Sequence, residues 1–170
     1  MAALPGLSWA VLRPTVVFSS LIGGLRRFIA PDGTVRLAFG SARVNLIDAR
    51  DVAAAAAALL RNDTPIGRVT TVTGPASFTA DELVDTLAAA ARRPLRQRDI
   101  EPEALAEQLR AGGADPAALT HMTQMFTYFR TGSLDIVTDE VTALTGQPPR
   151  SLAAALAGPG APAVTSLRAA

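Results

Sequence analysis

Apolar positions along this chain shift from short uninterrupted runs to helical stripes, and that shift predicts the order of its elements. Residues 8–12, containing Trp9-Ala10-Val11-Leu12, read as a buried strand that stops at Arg13-Pro14. Proline cannot donate to a central ladder, and it holds its predecessor extended. Residues 16–28 admit a helix or an irregular crossover, because their start is β-branched and Gly23-Gly24 interrupts them. Pro31-Asp32-Gly33 signals a turn, and short strands follow at 35–39 and 44–47. From 52 to 60 every position is Ala, Leu or Val. That run predicts a strong helix packed on more than one side, with Asp48 or Asp51 favouring its N-terminal end.

The second half is more helical. Residues 69–72 read as a strand from their β-branched content. Thr79-Ala80-Asp81-Glu82 has the spacing of a capping box, and Leu83, Leu87 and Ala90 follow at helical intervals. The helix so predicted covers 80–91, with Arg92 and Arg93 at its C-terminal end and Pro94 as its stop. A short strand at 95–100 precedes helices at 103–110 and 117–129. Pro102 opens the first of these and Gly112-Gly113 ends it. Met122, Met125, Phe126 and Phe129 give the second an apolar face. Short helices are expected near 139–144 and 151–156, and the Pro-, Gly- and Ala-rich stretch 158–170 reads as a flexible tail. The order fits an α/β protein, part of an open sheet followed by a mainly helical region.

Composition narrows the chemistry. The chain has 170 residues, 49% hydrophobic and 18% charged, with a formal net charge of +1, a balance that fits one globular domain. That charge argues for no nucleic-acid partner, and the apolar stretch 16–25 is too short to span a bilayer, so no membrane partner is expected either. There is no cysteine, which excludes disulfides and thiolate chemistry, and a cytoplasmic location is expected. There is also no lysine. Schiff-base chemistry, a P-loop and a Tyr-Lys pair are therefore excluded.

An ordered set of segments carries a family resemblance. It comprises residues 9–14, then Asn45-Leu46-Ile47-Asp48-Ala49-Arg50-Asp51-Val52-Ala53, then Val72-Thr73-Gly74-Pro75, Thr79-Ala80-Asp81-Glu82-Leu83, and Leu144-Thr145-Gly146-Gln147-Pro148-Pro149-Arg150. Together they resemble the C-terminal portion of NmrA-like proteins, atypical members of the short-chain dehydrogenase/reductase superfamily. The resemblance implies a partial Rossmann-like, NAD(P)-binding sheet over residues 1–157, with a C-terminal, mainly helical substrate-side region. It implies NAD(P)(H) as cofactor and a small carbonyl or quinone substrate. The family's Gly-x-x-Gly-x-x-Gly turn is not found in the sequence. The chain thus reads as a truncated family member, incomplete for tight cofactor binding alone. It is expected to assemble as a homo-oligomer or with an N-terminal-half partner. The alternative is a non-catalytic regulatory or assembly protein pairing with a full-length relative. A remnant without activity is the third reading.

On the family pattern, Pro14, Thr15 and Val16 fall beside the nicotinamide side of the cofactor, at the carboxyl end of a strand. Phe18, Met125, Phe126 and Tyr128 are the candidate lining of a substrate pocket. Tyr128 has no lysine to accompany it, and no catalytic residue is assigned. Asp48, Asp51, Thr79 and Glu82 read as structural, anchoring helix starts. No metal site is expected, and His121 reads as a surface or boundary residue. Arg92, Arg93, Arg96 and Arg98 read as a solvated basic face.

Overall fold

The first strand runs through its proline. The computed structural model describes residues 9–61 and 67–158. β1, Val11–Pro14, pairs in parallel with β5, Val69–Val72, with Val11 opposite Val69 and Pro14 opposite Val72. The Val11 N–H donates to the Arg68 carbonyl at 3.0 Å and the Thr15 N–H to the Val72 carbonyl at 3.1 Å. The two-residue alternation of a strand then turns position 14 away from β5. Pro14 sits where its missing N–H breaks no ladder bond, which corrects the expectation that the strand stops before it. Of the span expected as strand, Ser8 lies outside the described residues, and Trp9 and Ala10 precede the ladder.

At Thr15 the chain passes from one partner to another. β2, Val16–Val17, pairs in parallel with β4, Val44–Ile47, and β6, Ser77–Phe78, lies antiparallel on β4. A separate parallel pair joins β3, Thr34–Leu37, to β7, Arg96–Asp99. All four residues of β4 are buried, as expected for a strand covered on both faces.

Helices pack around these strands. α1, Phe18–Leu25, follows β2 without a loop and closes in a 3-10 turn, Arg26–Phe28. α2, Ala49–Arg61, connects β4 towards β5. α3, Ala80–Ala91, starts where its capping box predicts and ends at Arg92 in the left-handed conformation, φ 51°. α4, Pro102–Ala111, and α5, Pro116–Arg130, form an antiparallel hairpin, each opened by a proline in its first turn. α6, Glu140–Thr145, and α7, Leu152–Ala157, complete the described chain.

The main core lies where α1, α3 and α5 cover β3 and β4. Phe39 and Phe126 are both almost wholly buried, and Phe28, Phe39, Phe126 and Phe129 meet mostly edge to face at 5.3–6.2 Å between centroids. Such pairs contribute about 1 kcal/mol each beyond the area they bury. A smaller cluster of Ile47, Ala55, Val72 and Val141 fixes α2 and α6 on the other side.

One expectation about α2 is corrected. Among its described contacts only Asp51, Ala55 and Ala58 are buried, and Leu60 is 89% exposed. Its run of small side chains reflects helix propensity more than enclosure. The tail expected at 158–170 lies outside the described residues except for Gly158. No helix among the described residues is long and apolar enough to cross a membrane.

Candidate functional site

Asn45 on β4 fixes the geometry around the carboxyl end of β1. Its side-chain oxygen accepts from the Gly74 N–H at 2.8 Å and from the Thr15 hydroxyl at 2.7 Å. Its amide nitrogen donates to the carbonyls of Gly74 and Ala76, both at 3.1 Å. The side chain is fully buried, so this set of bonds answers its whole polar surface. Gly74 passes so close to β4 that a Cβ there would overlap the Leu46 carbonyl oxygen, so only glycine fits.

Beyond this hub, α1 and α5 flank an open cavity of about 350 Å³. Ser20, Leu21, Gly24, Arg27 and Phe28 recur along α1 and its 3-10 turn at spacings of one, three or four, so they form one stripe. His121, Met122 and Met125 form the facing stripe of α5, and Val16 and Val17 complete the lining. The interior is thioether, aliphatic and aromatic, while Arg27 and His121 are exposed at its rim. A Cβ added at Gly24 would meet nothing within 4 Å. An apolar cavity with a few polar groups at its edge is the form that small-molecule sites take.

The residues singled out from the sequence divide between this cavity and the framework. Val16 and Met125 line it. Thr15 does not, because its hydroxyl donates to Asn45, and Pro14 lies within β1. Phe18 and Phe126 turn into the main core instead, and Tyr128 is 52% exposed outside the cavity lining. The expectation that all four pocket candidates share one lining is thus corrected for Phe18, Phe126 and Tyr128. Met125 lines the cavity while its neighbour Phe126 belongs to the main core. His121, read from the sequence as a surface or boundary residue, is exposed and also belongs to the lining. The signal available was its spacing with Met122 and Met125.

The acidic residues are held by arginines and backbone. Asp48 accepts from the Arg50 N–H at 2.8 Å, capping α2, and pairs with the Arg50 guanidinium at 2.6 Å. The Arg50 side chain, against the opposing effect of burial, holds the Asp48 carboxyl below the usual aspartate range. Asp51 instead accepts the Arg150 N–H at 2.7 Å and pairs with the Arg150 guanidinium, tying the segment before α7 to α2. In the α3 box, the Glu82 N–H donates to the Thr79 hydroxyl at 3.2 Å and the Thr79 N–H to Glu82 at 3.0 Å. That backbone donor, with Arg43 second, lowers the Glu82 carboxyl. No group of three His, Asp or Glu among the described residues is placed to hold a metal.

Known proteins resemble this chain in sequence and fold. The chain is 34% identical over 148 residues to the (4-alkanoyl-5-oxo-2,5-dihydrofuran-3-yl)methyl phosphate reductase of Streptomyces griseus, covering 85% of this chain and 51% of that protein. It is 33% identical over 146 residues to the uncharacterized oxidoreductase YesF of Bacillus subtilis, with the same two shares. The chain spans about half the length of the relatives it matches. Among solved structures it resembles the NADPH-dependent quinone oxidoreductase QOR2 of Escherichia coli in complex with NADPH. The TM-score is 0.80 at 19% identity, over 89% of this chain and 53% of that one. No family model matches the chain. At that identity the likeness shows the fold, which is Rossmann-like α/β. The segment order in the sequence, the parallel strands and the reductase relatives agree with the resemblance to NmrA-like, atypical short-chain dehydrogenase/reductase proteins.

Proposed function

We propose that this chain supplies the substrate-side wall of an NAD(P)H-dependent reductase acting on a small carbonyl or quinone compound. One observation carries the reading. The segment after the carboxyl end of parallel strand β1 runs through Thr15 directly into Val16 and Val17, which line the apolar cavity. Ligands of open α/β sheets bind at that edge. The reductase relatives and the NADPH-bound structural neighbour support a nicotinamide cofactor facing it. In this assignment Pro14, Thr15 and Val16 form the nicotinamide edge, with Thr15 held in place by Asn45. Residues 1–157 act as one NAD(P)-binding unit.

The 170 residues contain no glycine-rich strand-to-helix turn to receive a pyrophosphate, so the chain alone binds NAD(P)H weakly. Titration with NADPH, followed by nicotinamide fluorescence, tests this. The expected dissociation constant is weaker than about 0.1 mM, around −5.5 kcal/mol. Adding a glycine-rich N-terminal half from a relative should tighten it and start quinone-dependent NADPH oxidation. One tight site on the chain alone overturns the incompleteness, and no oxidation in the reconstituted pair overturns the reductase reading.

Pairing with a full-length relative as a non-catalytic partner is the second reading. It draws on β1, which among the described residues is paired on one side only.

A further inference from the structure

Resting on the substrate-side reading of the α1–α5 cavity, we infer that it selects a small ligand with a flat apolar body and one acidic group, which Arg27 holds at the rim. The two ends of the cavity differ in chemistry. Leu21, Phe28, Met122 and Met125 offer an apolar interior, and methionine thioethers adapt to aromatic faces. The rim carries two basic side chains, Arg27 and His121, and among the described residues no carboxylate lines the cavity.

Arg27 is exposed and forms no ion pair among the described residues, whereas Arg43, Arg50 and Arg130 are each engaged by a carboxylate. A guanidinium is weakly hydrated and presents paired donors that match a planar carboxylate. The imidazole of His121 adds a further N–H donor. An anion placed there stays partly in water, so its ring can enter the cavity without the charge being buried. Gly24 sets the depth. A side chain at 24 would project into open space, so glycine leaves room that a ring can fill.

Binding of 2-naphthoate and of 2-naphthamide to the full chain tests the inference, since the two probes share a ring and differ in charge. Of the three methionines, Met122 and Met125 line the cavity, so their methyl resonances report occupancy directly. The expected result is naphthoate binding about fivefold to tenfold tighter than naphthamide. Arg27→Gln should remove that preference and leave naphthamide affinity unchanged. Gly24→Leu should abolish binding of both probes. Equal affinities in the unaltered chain, or naphthoate binding indifferent to Arg27→Gln, overturn acid selection. If Gly24→Leu still blocks the probes in that case, the cavity stands as a ligand site. Failure of both probes to move the Met122 and Met125 methyls, or binding that survives Gly24→Leu, overturns the cavity reading as well.

Discussion

Asn45 and Gly74 answer each other's hydrogen bonds, 29 residues apart in sequence: the side-chain oxygen accepts at 2.8 Å and the side-chain nitrogen donates at 3.1 Å. The pair locks the turn after β5 against β4 and holds Thr15 beside the cavity. Asn45→Leu would keep the volume but leave the Gly74 N–H and the Gly74 and Ala76 carbonyls without that partner. Each buried group so orphaned costs about 1–3 kcal/mol, so a loss of about 3 kcal/mol is expected. Urea unfolding measures it, and a loss under about 1 kcal/mol would mean that water replaces the side chain in the fold.

At the start of α3, Thr79→Ala removes the acceptor of the Glu82 N–H. The expected cost is about 1 kcal/mol. Thr79→Ser keeps the hydroxyl and should recover most of it. If the two variants unfold at the same denaturant midpoint, the methyl group matters and the cap does not.

Asp48 sets a pH dependence. Its carboxyl is lowered in the fold, chiefly by the Arg50 side chain, so its contribution is fully present above the unfolded value of about 3.9. That contribution is lost as pH falls through the lower folded value. Asp48→Asn keeps an oxygen for capping but cannot titrate. The gap between the unaltered chain and this variant should be constant from about pH 7 to 5 and close below about pH 4. An unchanged gap down the acid limb would assign the role of Asp48 to shape and not to charge.

What the sequence made legible was local. The start of α3 follows from Thr79 and Glu82, and β5 falls where its β-branched run lies. Caps and propensities act within a few residues, so they can be read in order along the chain. The cavity depends on phase and distance. Phe18 and Val17 are sequence neighbours, yet one enters the core and the other lines the cavity. The place of Thr15 depends on Asn45 and that of Asp51 on Arg150, contacts spanning 30 and 99 residues. No local pattern encodes those partners.

The proline in β1 also shapes what solvent exchange can report. Val11 and Thr15 direct their N–H groups towards β5, and Arg13 shares their side by alternation. On the opposite edge Pro14 has no amide hydrogen, which leaves Leu12 as the single exchangeable backbone proton of β1 facing outward. Deuterium uptake at that one position is therefore a reading of whether anything lies along the strand. Protection of Leu12 on mixing with another chain would locate contact to one residue, without labels and without any change in the β5 ladder.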